Sequence, residues 1–260
     1  MLLVINANNT TTVFGVFERG EKRGVWRIST DAHRTADEYA FWLTGLMALA
    51  GIERRMIDGV ILANVVPQTS FQLKTLCRTY FGGDPLTVGD PDCDPGFKIL
   101  IERPEEAGAD RIANTAGARG RYPMPGVVVD LGTATNFDVI DRDGNYCGGV
   151  IAPGISISFE ALYTRAAKLP RVEIKRPTRA IGRRTVEAMQ SGIYWGYISL
   201  IEGMLRRLED EMGQKLTVIG TGGLVPLIAD GTPAIHHVNQ DITMLGLVDI
   251  WSRNRSAGPA

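Results

Sequence analysis

Residues 127–140, VVVDLGTATNFDVI, lie over residues 3–16, LVINANNTTTVFGV, at a constant offset of about 124. Asn6 then falls on Asp130, Asn8 on Gly132, Asn9 on Thr133 and Thr11 on Thr135. The register extends into the turns, where Gly20 of ERGEK meets Gly144 of DRDGN and Gly24 meets Gly148. Matching turn glycines weigh more than matching valines, because any two strands share apolar residues whereas a turn needs its glycine at one place. Each copy reads strand, polar Thr-rich loop, strand, glycine turn, strand, the start of a three-stranded antiparallel meander. The expectation is an α/β protein of two halves related by pseudo-twofold duplication, residues 1–120 and 121–260, with a cleft between them.

The remaining pattern fits two such halves. TADEYAFWLTGLMALAG (35–51) has helical spacing behind a capping Thr35, and DGVILANV (58–65) reads as a strand followed by a helix near 67–82. GGDPLTVGDPDCDPG is loop, and RPEEAGADRIANTAGARGRY opens a helix whose first turn would hold Pro104 and the two glutamates. The second half predicts helices near 154–167 and 183–210, a strand at 216–220, and helices near 223–230 and 241–253. Val186, Met189, Ile193, Tyr197, Ile201, Met204 and Leu208 recur at steps of three and four, which reads as core packing.

Composition excludes several functions. The 28 Lys and Arg residues nearly balance 29 Asp and Glu, which argues against nucleic acid or an anionic membrane as the main partner. Cys77, Cys93 and Cys147 have no metal-ligand spacing and suit free structural thiols in a reducing compartment. There is no apolar run of about 20 residues and no signal-peptide core, so a cytoplasmic location is expected. His33, His236 and His237 carry no assigned role.

Two Thr-rich loops at strand ends supply hydroxyls and backbone N–H groups, with Gly132 letting the chain approach a ligand closely, a combination suited to phosphate. No GxxxxGK[ST] sequence is present, and GTGG at 220–223 lacks dinucleotide-fingerprint spacing. Those glycines offer a flat backbone surface to an adenine ring.

The opening meander, GADR (108–111), DLGTAT (130–135), GGVIAPG (148–154), AAKLP (166–170), IGRRTVEAMQSGIYWGY (181–197) and GTGGL (220–224) together resemble the type III pantothenate kinase family, in that family's order and over nearly the whole chain. The resemblance implies two ribonuclease-H-like halves in the actin-like ATPase fold, and transfer of the γ-phosphoryl group of ATP to pantothenate at the first step of coenzyme A synthesis. It implies Asp110 as general base. Gly108, Ala109, Asp110, Arg111 and Thr185 would contact pantothenate, Arg111 through its fork on the carboxylate. Asn6, Ala7, Asn8, Asn9, Thr10, Thr11, Thr12, Val13, Thr133, Gly222 and Gly223 would contact ATP with its Mg²⁺. Asp130 would hold K⁺ or NH₄⁺, and a homodimer is implied. By themselves, Asp110-Arg111 reads as a surface ion pair on a helix and Arg184-Thr185 as a helix cap.

The chain departs from the family where the first loop, usually D-x-G-N-T-N-T, is Asn6-Ala7-Asn8-Asn9-Thr10-Thr11-Thr12. Asn6 keeps the size of the aspartate and loses its charge. Asn8 replaces a glycine, and would tolerate positive φ better than most residues if the position demanded it. Thr11 replaces an asparagine, Asn136 stands where threonine is common, and PGFKILIERPEE lacks the Lys-Thr-Gly and Tyr of many relatives. These changes leave a second reading beside the kinase: a catalytically inactive homologue acting as a binding or regulatory protein.

Overall fold

The computed structural model describes residues 1–166 and 169–256; Ala167 and Lys168 of the AAKLP motif lie outside the described residues. In chain order the elements are β1 (Leu2–Ala7), β2 (Thr11–Glu18), β3 (Glu21–Ser29), α1 (Ala36–Leu49), β4 (Gly59–Asn64), α2 (Ser70–Phe81), β5 (Leu86–Thr87) and α3 (Ala109–Arg119). There follow β6 (Gly126–Leu131), β7 (Ala134–Ile140), β8 (Tyr146–Pro153), α4 (Ile155–Arg165), α5 (Thr185–Met212), β9 (Thr217–Thr221), α6 (Val225–Ala229), β10 (His237–Val238) and α7 (Ile242–Ser256).

The duplication is visible in the sheets. One runs β3-β2-β1-β4-β5; the other, read from its opposite edge, runs β8-β7-β6-β9-β10. In both, the three meander strands pair antiparallel and the later strands add in parallel. Both meanders carry a register shift at the same point, between Val16 and Phe17 and between Val139 and Ile140.

The constant offset does not survive the loops. Residues 8–11 separate Ala7 from its partner Thr12, but only residues 132–134 separate Leu131 from Thr135. Thr12, not Thr11, is therefore the counterpart of Thr135. The next turn restores the count, since residues 18–21 lie between Phe17 and Lys22 and residues 141–145 between Ile140 and Tyr146. One residue lost in the loop and one gained in the turn cancel, which is why the glycines beyond still match.

In the first sheet, β1 alternates between two cores. Leu3, Ile5 and Ala7 join Tyr39, Leu43, Leu73 and Leu76 of α1 and α2. Leu2 and Val4 join Ala63 and the α3 and α7 residues Ala109, Ile112, Ala113, Leu247 and Val248. In the second sheet, Val127, Val129 and Leu131 pack on Tyr194, Ile198 and Ile201 of α5 and on Val225 and Ile228 of α6. The α5 stripe is core, with Met189, Tyr197 and Ile201 buried; its first member, Val186, is exposed.

Two boundaries differ from the sequence expectation. The chain forms two compact units, residues 1–121 with 241–260, and residues 122–240, so the last helix groups with the first unit. The physical reason lies in small residues. A Cβ on Gly246 would strike the Ala113 carbonyl and one on Gly117 the Ile242 carbonyl, so α3 and α7 approach backbone to backbone. Arg121 donates to Asp249 through both terminal guanidinium nitrogens, and Arg253 Nε donates to Asp94 Oδ2 at 2.7 Å. The second difference is the start of α3. Pro104–Glu106 make only a 3₁₀ turn, and Ala107 (ψ 115°) and Gly108 (ψ 140°) are extended before the helix begins at Ala109. Asp110 thereby falls in the first turn, where a negative charge meets the helix N-terminus favourably. The Thr35 cap of α1 is present as a full capping box with Glu38.

Candidate functional site

In the first unit, the ends of β1 and β4 and the start of α3 come together. The Val65 amide donates to the Ala7 carbonyl at 3.0 Å, continuing the β1–β4 pairing past Asn64. A Cβ on Gly108 would lie 3.8 Å from Val65 Cγ1 and only 2.6 Å from Asp110 Oδ1. The carboxylate therefore curls over Gly108, beside the strand ends, instead of reaching outward as a surface ion pair. Its Oδ1 accepts from the Arg111 amide at 2.9 Å. Burial raises the Asp110 carboxyl above the usual range, against the opposing pull of the Arg111 amide and charge.

Asn6 shares that face. Its neighbours Leu2 and Val4 point to the α3 and α7 side, and alternation puts Asn6 there too, opposite Ala63. It is 6% exposed, and its Oδ1 has no hydrogen-bond partner. A buried amide oxygen left unpaired costs about 1–3 kcal/mol. This oxygen suits a cation or a donor supplied by a ligand.

The loop between β1 and β2 is braced from β3. Thr30 Oγ1 donates to the Asn8 carbonyl at 2.6 Å and lies 2.9 Å from Thr12 Oγ1; the Thr30 amide donates to the Thr10 carbonyl at 3.0 Å. Sequence reasoning missed Thr30, whose signal was a threonine ending the third strand of a Thr-rich meander. It also missed Asn64, whose Oδ1 receives the Val66 amide at 2.8 Å and shapes the turn after β4. Asn8 has no positive φ; Arg19, at 52°, is the non-glycine residue that does among those described. Ala7 and Thr12 are buried, Thr11 and Val13 half-buried, and Asn9 and Thr10 exposed, so the loop presents its tip to solvent.

In the second unit, Asp130 is the penultimate residue of β6, between Asn136 of β7 and Thr221 of β9. Gly222, just past β9, has φ +93°, and a Cβ there would lie 2.5 Å from the Leu131 carbonyl and 2.8 Å from Asp130 Oδ1. Glycine is required on both counts. A Cβ on Gly154, the N-cap of α4, would strike the Thr133 carbonyl, so this helix starts directly against the loop. Gly223 faces open space. Thr185 is exposed at the first position of α5; the cap is Arg184, and no side chain makes a cap bond, so the capping reading of Thr185 does not hold.

Other reactive groups are accounted for structurally. Burial pushes the Cys77 thiol up to about 12 and Cys93 to about 11, well away from thiolate chemistry at neutral pH. His236 Nδ1 accepts from the Val218 amide at 3.0 Å, and the His237 ring lies 4.9 Å from that of Tyr122. Among the described residues no group of three His, Cys, Asp or Glu side chains gathers around a metal-sized space, and no helix is long and apolar enough to cross a membrane.

A family model described as type III pantothenate kinase matches residues 2–207. The chain belongs to that family. Type III pantothenate kinases of Paramagnetospirillum magneticum and Rhodospirillum rubrum are 54% and 52% identical over 254 and 255 residues, covering 98% of this chain and 98% and 99% of theirs. The Caulobacter vibrioides type III pantothenate kinase is 48% identical over 259 residues. Among solved structures, the chain resembles the activator of 2-hydroxyisocaproyl-CoA dehydratase from Clostridium difficile (TM-score 0.56, 12% identity, covering 98% of this chain and 96% of that one). It also resembles the ROK hexokinase of Thermus thermophilus (TM-score 0.54, 13% identity, 99% of each chain). These likenesses establish the fold, the actin-like ATPase and sugar-kinase architecture built by duplication.

Proposed function

We propose that this chain transfers the γ-phosphoryl group of ATP to the hydroxyl of pantothenate, giving 4'-phosphopantothenate and ADP at the first step of coenzyme A biosynthesis. The observation that carries this reading is the placement of Asp110: a half-buried carboxylate in the first turn of α3, curled over Gly108 on the sheet face that also holds the unpaired Asn6 oxygen. Asp110 takes the hydroxyl proton as the new O–P bond forms and the bond from the γ-phosphorus to ADP breaks. In such a loose transition state alignment counts for more than base strength, and a carboxyl held above its usual range keeps useful proton affinity. Arg111 and Thr185 bind the acceptor, together with the backbone of Gly108 and Ala109.

Residues 6–13, Thr133, Gly222 and Gly223 serve the nucleotide. Asn6 would face the magnesium that accompanies ATP, its unpaired oxygen suited to a neutral ligand or water-bridging role, and the ion would supply charge neutralisation to the phosphates. Asp130, with Gly132 and Gly222 leaving room beside its Oδ1, fits a monovalent cation, K⁺ or NH₄⁺. A homodimer is supported by apolar side chains exposed on the second unit: Ile151 on the edge strand β8, Ile157 and Leu162 on α4, Ile181, and Val186 on α5. A cytoplasmic location is supported by the substrate and by the three free thiols.

The non-catalytic alternative rests on Asn6 and Asn8, and the half-buried position of Asp110 against the strand ends favours turnover. A coupled ADP-release assay with pantothenate, Mg²⁺ and K⁺ tests the proposal. Turnover that disappears in Asp110→Asn is expected. No turnover in the parent chain or in Asn6→Asp/Asn8→Gly would overturn it.

A further inference from the structure

Residues 169–184 form an irregular strap between α4 and α5 that holds six cations, Arg171, Lys175, Arg176, Arg179, Arg183 and Arg184, against one anion, Glu173, in a chain whose net charge is −1. Elsewhere among the described residues ten cations pair with carboxylates, including Lys22 with Asp241 at 2.5 Å, Arg23 with Glu18 and Arg78 with Asp84 at 2.6 Å, and Arg253 with Asp94 at 2.7 Å. In the strap no cation has a carboxylate within 4.0 Å among the described residues. Arg176 has a structural task, donating to the Asp230 carbonyl at 2.8 Å with its guanidinium 5.9 Å from the Trp195 ring centroid. The other five are exposed.

Besides the Arg176 bond to Asp230, the strap is tied to the start of α5. Gln190 Nε2 donates to the Glu173 carbonyl at 3.0 Å, Ser191 Oγ to the Ala180 carbonyl, and the Arg183 amide to Glu187 Oε2 at 2.9 Å. Gly182 sits against the Ala188 amide with no room for a Cβ. All of these anchors lie in the first two turns of α5, the helix that begins at Thr185. Lys175, Arg176, Thr178, Arg179, Glu187 and Gln190 line a cavity of about 210 Å³ there. Crowding unpaired like charges on one segment costs self-repulsion, which an incoming anion relieves.

We infer that the strap is an electrostatic collector for the anionic acceptor, raising the local concentration of a small carboxylic acid at the start of α5. This rests on the proposed reading of Thr185 as an acceptor contact. A field from exposed side chains falls off over roughly 10 Å at 0.1 M salt, so the effect must be strong in dilute buffer and fade as salt is added.

The test is the triple variant Arg171→Gln/Lys175→Gln/Arg179→Gln, which leaves Arg176, Arg183, Arg184 and Thr185 in place. Its control is Arg54→Gln/Arg55→Gln/Arg103→Gln, which removes equal charge from exposed positions in the first unit. Steady-state constants are measured from about 20 to 300 mM NaCl with pantothenate, with its neutral alcohol analogue, and with varied ATP. The expected result is a KM for the acid raised about 3- to 10-fold at low salt in the strap variant alone, converging with the parent at high salt, with kcat, the KM for the alcohol and the KM for ATP unchanged. An unchanged KM for the acid, or an equal rise for the alcohol or for ATP, overturns the inference. So does loss of heparin retention with the acid KM intact, which would assign the strap to a polyanionic macromolecule. If neither the parent protein nor Asn6→Asp/Asn8→Gly turns over, the kinase reading fails on its own; calorimetric titration of pantothenate at the two salt extremes then decides the inference, and equal affinity in parent and strap variant overturns it.

Discussion

In the first unit β1 ends in Asn6-Ala7 and four residues lead to the partner Thr12; in the second, β6 ends in Asp130-Leu131 and three residues lead to Thr135. The sheets around these ends share one path and even one register shift. What differs is the strand-end charge and what surrounds it. Asn6 is buried with an unpaired oxygen under the α3 side of its sheet, whereas Asp130 is half-buried beside a glycine at φ +93°. Duplication kept the frame, which is fixed by many apolar contacts, and left each strand end free to specialise, because a loop tip contributes little to the core.

The comparison breaks hardest at the group only the first unit has. Asp110→Asn is expected to lower kcat by about 10²- to 10⁴-fold, the usual span for a general base, read in the ADP-release assay. The same variant separates function from stability. Because the folded protein holds the Asp110 proton more tightly than the unfolded chain, the resulting stabilisation is present below the ordinary carboxylate range and lost as pH rises through the folded value. At neutral pH the ionised carboxylate is a net cost. Asp110→Asn should therefore melt higher than the parent at pH 8, with the gap closing as pH falls toward about 4; a lower Tm at pH 8 contradicts the burial argument.

Making the second strand end like the first is the next largest change. Asp130→Asn should reduce kcat by roughly 10²- to 10³-fold, and whatever rate remains should no longer respond to K⁺ or NH₄⁺. Retained stimulation by K⁺ would remove Asp130 from the cation site.

The reverse conversion has a smaller effect. Asn6→Asp should lower the Mg²⁺ concentration for half-maximal rate by about tenfold, since a charged oxygen replaces an amide beside the ion. In cation-free buffer the new carboxylate is buried at the strand end, so Tm should fall and recover with Mg-nucleotide. A Tm insensitive to Mg-nucleotide would place residue 6 away from the metal.

The smallest effect tests the corrected register. Thr12 and Thr135 are both fully buried and occupy equivalent positions, yet Thr12 Oγ1 meets Thr30 Oγ1 at 2.9 Å and Thr135 Oγ1 has no partner. Thr12→Val should cost about 1 kcal/mol and Thr135→Val about nothing or a slight gain, measured by chemical denaturation. Equal losses would mean that the two hydroxyls have equivalent surroundings.

Much of this was legible in the chain because it is local. Strand alternation, the turn glycines, the Thr35 capping box and the α5 stripe each follow from residues within a few positions of one another, and those positions set backbone preference directly. GADR, DLGTAT and GTGGL fall at the strand ends and helix starts where the proposed site residues stand. The charge run of the strap was equally plain in the letters, but a chain-wide balance of 28 against 29 hid it.

Tertiary structure decided what depends on partners far along the chain. The one-residue slip between the loops appears only once strands pair, because a deletion and a later insertion cancel in any linear alignment. The return of α7 to α3 depends on Gly117 and Gly246 meeting across more than a hundred residues, which no helical periodicity encodes. The face of Asn6 and the inward curl of Asp110 over Gly108 depend on which helix covers which side of the sheet, a choice made by complementary shape and burial across the whole unit.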